Sequence, residues 1–265
     1  MLYGNESISE YKSENIAVWM SMAFQAGVIN VGGFLACHRF VSHVTGFATF
    51  FGAEISETPR NWMHASGMLV VPLFFLLGAM LSGQLVDIRL KLHKKPRYYF
   101  TFGVIFMLTV IVLFGGLTGQ FGNFGEPLST ERDYLLLILL CLTCGIQNGT
   151  ITSVSRSVLR TTHLTGITTD LGIGIIRFMN RARLIEAGDE AARHAAKEAG
   201  RANLMRIGII TFFGAGSVLG AFAFREFGYT GFAIPVFTSG ALFITMMYFQ
   251  VWKPKRLIGK KPAGI

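Results

Sequence analysis

From Tyr98 to Thr118 the chain carries no charged residue, and charge-free apolar runs recur at 16–36, 66–86, 134–154, 207–224 and 231–252. A helix rises 1.5 Å per residue, so about 20 such residues cross the roughly 30 Å hydrocarbon core of a bilayer. Inside lipid a backbone must satisfy its own polar groups, which restricts a spanning segment to a helix or a closed barrel. Runs of this length without strict alternation read as helices. The expectation is therefore an all-α integral membrane bundle of six transmembrane helices. Composition agrees, since 51% of the residues are hydrophobic and 15% charged, against about 25% charged in soluble domains.

Charge outside the runs gives an orientation. The segments 87–97, 177–206 and 253–261 are rich in Lys and Arg, whereas 119–133 and 225–229 are not. Basic loops stay on the cytoplasmic side, so six crossings with both termini cytoplasmic satisfy every assignment. The net charge of +9 belongs to these loops, and nucleic acid is not an expected partner. The three cysteines, Cys37, Cys141 and Cys144, lie in or near apolar runs and lack the spacing of a disulfide or zinc framework. The N-terminal tail, residues 1–15, is polar and acidic rather than basic, so the first run is expected to be retained as a span. Segment 181–203 is Ala-rich with Asp189 four residues before Arg193, the pairing of an exposed helix. It reads as a cytoplasmic surface helix: either a solvated connector or a surface for anionic lipid or a partner.

The sequence also repeats itself. "SHVTG" (42–46) returns as "THLTG" (162–166); Gly27 and Asn30 upstream match Gly145 and Asn148, and Thr49 and Gly52 downstream match Thr169 and Gly172. "LGAMLSG" (77–83) likewise echoes "GAGSVLG" (214–220), with small residues four apart that permit close helix approach. Two halves follow, 16–133 and 134–252, before a basic tail at 253–265. Each half has three spans and a short apolar stretch after the motif, 44–55 or 164–178, read as re-entrant or broken. An odd number of crossings turns the second half upside down, giving 3+3 inverted repeats. Carriers of that architecture place their substrate site at the repeat interface.

The motif's chemistry suits such a site. Thr45–Gly46 and Thr165–Gly166 at the start of short helices can cap free amides, and a helix N-terminus presents donors to an anion. His43 and His163 add imidazoles, the side chain suited to proton exchange; Asn30 and Asn148 can bond ligand. The same groups can equally serve only the backbone where the chain bends within the membrane. Asp170, seven residues after His163 and so two turns along one helical face, is the expected proton-coupling group, as an ionisable residue at membrane depth. Glu54 is a second acid whose side chain can reach the interface. Arg39, Arg156 and Arg160 precede the motifs and can contact an anion or snorkel.

"FQAGVINVGGF", "FVSHVTGFATFFG", "CGIQNG" and "TTHLTGITTDLG" resemble the signature blocks of the YoaK family, the domain of unknown function 1275. The resemblance covers about residues 16–250 and implies a polytopic protein of the bacterial inner membrane. It brings no substrate or reaction. The residues themselves favour a secondary transporter or permease for a small polar or anionic solute, possible proton coupling included. The alternative is a non-catalytic scaffold or accessory subunit, forming a homo-oligomer or joining a membrane complex. An enzyme is not expected: no Walker phosphate loop or nucleophile elbow occurs, Cys37, His38 and His43 form a poor metal set, and no cofactor is implied.

Overall fold

The computed structural model describes residues 13–57, 62–126, 131–154, 163–187 and 190–252. Within them every regular element is helical and no strand occurs. In chain order these are α1 (Ser13–Cys37), α2 (Val44–Glu57), α3 (Trp62–Ser82), α4 (Ile88–Lys91), α5 (Tyr98–Leu117), α6 (Glu131–Val154), α7 (Leu164–Met179), α8 (Arg181–Ala187), α9 (Glu190–Phe227) and α10 (Ala233–Met247). A π turn, Gly83–Asp87, joins α3 to α4, a 3-10 turn, Gly228–Phe232, joins α9 to α10, and a second π turn, Tyr248–Trp252, follows α10.

Helix ends are set by local chemistry. At the end of α5, Gly119 takes φ 73° and the Gln120 amide bonds back to the Gly115 carbonyl. Past α4 the same closure falls to His93, at φ 54°, with the Lys94 amide on the Arg89 carbonyl. In both places a left-handed residue lets the chain reach back to carbonyls the helix leaves free.

Five described stretches are long and apolar enough to cross a membrane: Asn15–Cys37, Val71–Lys91, Tyr98–Leu117, Tyr134–Ser153 and Ala199–Trp252. The last has 54 residues, about 80 Å if it were one straight helix, and holds both the 207–224 and 231–252 runs. It reverses at Gly228–Phe232. Gly32 of α1 meets Phe224 near the end of α9, while Gln250 beyond α10 donates to the Pro96 carbonyl and accepts from the Tyr99 amide at the opposite end of the bundle. Segment 181–203 differs from the expectation of a separate surface helix. α8 covers Arg181–Ala187, residues 188–189 lie outside the described residues, and α9 runs from Glu190 into the apolar run as a single helix of 38 residues. Nothing in the Ala-rich stretch breaks it, and Gly200 alone costs a helix only about 1 kcal/mol.

Two close seams organise the bundle. α1 and α9 run side by side in the same direction, and so do α3 and α6. A Cβ on Gly27 would strike the Phe213 carbonyl oxygen and lie 2.9 Å from the Ser217 amide nitrogen; one on Gly145 would strike the Phe75 carbonyl oxygen. From the other side, Gly216 lies on the Phe24 carbonyl and Gly78 on the Leu142 carbonyl. Only glycine allows main chains to approach so closely, the usual means of packing helices in lipid. Between the seams α1 and α6 run antiparallel, with Gln25 against Gln147 and Gly33 near Leu140. α5 and α10 are antiparallel too: Gly103 faces Phe243, Gly240 faces Phe106, and the two phenylalanine rings stack at 6.1 Å. The outer surface is apolar, with Phe222 and Phe237 exposed at 71% and 77%.

Candidate functional site

After α1 the chain turns back along its own helix. His38 makes the reversal at φ 54°, and its ring nitrogen Nε2 bonds the Gly125 carbonyl at 3.0 Å. The Ser42 hydroxyl then donates to Asn30 Oδ1 at 2.9 Å, and the Cys141 thiol donates to the Val41 carbonyl at 3.2 Å. Asn30 stands seven residues before the end of α1, about 10 Å along the axis. The first motif therefore lies well inside the bundle, and α2 starts from that depth packed on α3.

α7 mirrors this arrangement from the other end. It lies antiparallel on α9, with Phe178 against Gly200 and Gly174 against Asn203 and Arg206, while Ile167 near its start is buried with Ile146, Met205 and Ile209. Its N-terminal end thus points inward from the face that carries Arg89–Arg97.

The His-x-Thr-Gly pattern has a steric reason. In each copy the imidazole folds over the first helical turn: a Cβ on Gly46 would stand 3.0 Å from His43 Nδ1, and one on Gly166 would stand 2.6 Å from His163 Nδ1. The glycine makes room for the ring. His43 Nε2 also shares a hydrogen bond with Thr45 Oγ1 at 2.7 Å. The threonines do not precede the helices as caps. Thr45 and Thr165 sit inside the first turn, and the residue before α7 is His163, whose side chain caps no amide. Their carbonyls accept from Thr49 and Thr169 one turn on. His43, Thr45, Thr49, His163, Thr165, Thr169 and Asp170 are all exposed. Among the described residues no hydrogen bond or ring contact joins the first motif to the second.

The other candidates divide. Asn30 is engaged by Ser42; Asn148 Oδ1 is buried with no partner among the described residues. The position matching Ser42 is Thr162, which lies outside the described residues, as do Arg156 and Arg160. Arg39 already has its anion, Glu54, at 3.5 Å, and its guanidinium lies 4.5 Å over the Phe50 ring. Glu54 is thereby tied to the loop before α2. Asp170 forms no ion pair among the described residues, and no three His, Cys, Asp or Glu among them gather as a metal site.

One fully enclosed polar network is passed over by motif reading. Gln25 Nε2 donates to Gln147 Oε1 at 3.0 Å, Gln147 Nε2 donates to the Met22 carbonyl at 2.6 Å, and the Thr238 hydroxyl donates to Gln25 Oε1 at 2.8 Å. Both glutamines are 1% exposed. The signal was present, because each is an amide within a charge-free run. Such a linked network ties α1, α6 and α10 together, and its members pair with one another instead of facing a ligand.

Residues 18–247 match the family described as protein of unknown function (DUF1275). The chain belongs to the DUF1275 family. No curated protein and no solved structure matches it. With its several spanning-capable helices, this DUF1275 chain is a multi-pass helical membrane protein.

Proposed function

We propose that this DUF1275 protein is a secondary carrier for a small polar or anionic solute. In this reading it has six spans in two inverted halves in the bacterial cytoplasmic membrane, with both termini cytoplasmic. The inversion is supported by matched contacts. Gly27 on Phe213 is answered by Gly145 on Phe75, and Gly216 on Phe24 by Gly78 on Leu142. The matching helices α1 and α6 are antiparallel, and the stacked Phe106 and Phe243 suit a two-fold axis between α5 and α10. Arg89, Lys94, Lys95 and Arg97 share one end of the bundle, which supports assigning that end to the cytoplasm.

One observation carries the transport reading. The polar first turns of α2 and α7 lie within the depth of the spans, entered from opposite ends, yet the rest of the described chain leaves them exposed. Histidine, threonine and aspartate against hydrocarbon are costly, so a water-filled path or a bound polar solute suits them better. Asp170 is the group offered for proton coupling, with His43 or His163 as its relay.

The test is solute uptake into proteoliposomes under an imposed pH gradient, screening small organic anions and neutral polar solutes. The wild type should accumulate one class, and Asp170→Asn should uncouple accumulation from the gradient while leaving passive exchange. Flux that ignores both the gradient and Asp170→Asn defeats coupling. No flux for any solute, together with a stoichiometric partner retained in mild detergent, favours the scaffold alternative.

A further inference from the structure

The geometry points to the end of α7 and α8 as a docking surface for anionic phospholipid headgroups of the leaflet at the basic end of the bundle. Arg177 closes α7, and Arg181 and Arg183 open α8. All three are exposed, and no acidic side chain pairs with any of them among the described residues. Two other cations do have an acidic partner. Arg39 is held by Glu54, and Lys91 bonds Asp87 at 2.9 Å.

The same short stretch shows large apolar side chains to the outside: Ile176 at 59%, Met179 at 71% and Leu184. Asn180 bends the chain between the two helices, with its side-chain amide donating to the Ile176 carbonyl. Arg181 lies 4.8 Å over the Phe178 ring, and Phe178 packs on Gly200 of α9, so the surface is anchored to the bundle. A purely aqueous face would not expose this apolar set, and a purely lipid-facing one would not hold three guanidinium groups without an acidic partner among the described residues. Apolar side chains at the acyl boundary with arginines at the phosphates satisfy both. Guanidinium binds phosphate bidentately, which makes the headgroup phosphate with its net negative charge the fitting partner. The inference rests on the membrane reading alone and is independent of transport.

The experiment uses the full chain in bilayers of phosphatidylcholine containing spin-labelled phosphatidylglycerol or spin-labelled phosphatidylcholine. Electron paramagnetic resonance reports the fraction of labelled lipid held at the protein surface. Wild type should prefer phosphatidylglycerol, and each Arg→Gln change at 177, 181 or 183 should lower that preference about fivefold, the effect expected for one basic residue near an anionic surface. The triple Arg→Lys variant should retain most of it, and Lys94→Gln with Lys95→Gln should lower it less than the triple Arg→Gln variant does. Equal preference in wild type and the triple Gln variant, with both folded by thermal unfolding, overturns the assignment. So does a larger loss from the Lys94 and Lys95 pair, or displacement of the label by inorganic phosphate as effectively as by lipid.

Discussion

Gly27→Ala and Gly145→Ala place a methyl group against the main chain of a partner helix. For Gly27 the obstacles are the Phe213 carbonyl and the Ser217 amide nitrogen, 2.9 Å away; for Gly145 they are the carbonyl oxygen and carbon of Phe75. No side-chain rotation relieves either clash, so the helices must separate. A separation of 0.5–1 Å forfeits roughly a quarter to a half of each dispersion contact along the seam, and inserted bulk in a packed core costs about 1–3 kcal/mol. Alanine returns about 0.5–1 kcal/mol of helix preference over glycine. The net loss is about 1–2 kcal/mol, a roughly 5- to 30-fold fall in the folded-to-unfolded ratio. Gly52→Ala and Gly172→Ala provide the contrast, since nothing lies within 4 Å of a Cβ at either place; these should be neutral or slightly stabilising. The assay is thermal unfolding of the full chain in one detergent at one scan rate, because apparent midpoints of irreversible unfolding depend on the rate. If the seam variants unfold no earlier than the Gly52 and Gly172 variants, the close-seam reasoning is refuted. A costly Gly27→Ala beside a neutral Gly145→Ala would break the matched pairing of the halves.

Gln147→Ala should destabilise by about 1–3 kcal/mol because it leaves the buried Gln25 donor unpaired, and the double change of Gln25 and Gln147 to Met should cost less than the sum of the single changes in the same unfolding assay. Gly166→Ala should displace the His163 imidazole and shift its nuclear magnetic resonance signals, whereas Gly172→Ala leaves them in place. Glu54→Gln should cost at most about 1 kcal/mol, because its pair with Arg39 is partly exposed; a loss of several kcal/mol would show the loop before α2 to depend on it. Cysteines placed at Lys94 and Asn123 should react with an impermeant maleimide from opposite sides of a sealed vesicle, over a low background because Cys37, Cys141 and Cys144 are all buried; labelling from one side contradicts the proposed topology.

Charge-free runs announced the helices because lipid leaves a backbone few other choices, and the doubled motif marked α2 and α7 because turn residues interrupt an otherwise apolar text. The glycines of both halves were legible as small residues at helical spacing. Their partners were not, since spacing along one helix says nothing about which second helix lies against it. That α1 takes α9 while α3 takes α6 was decided by packing between residues far apart in sequence, Gly27 with Phe213 and Phe75 with Gly145. The candidate site divides along the same line. His43, Thr45, His163 and Thr165 stand out locally, but the folding of each ring over its glycine, the claim of Glu54 on Arg39, and the Gln25–Gln147–Thr238 bridge depend on where the chain returns. Sequence by itself determined which segments are helical and apolar, through composition and local backbone chemistry. Tertiary structure alone decided which polar groups are consumed in pairing and which stay exposed, because a side chain's partner is fixed by contact in space rather than by its neighbours along the chain.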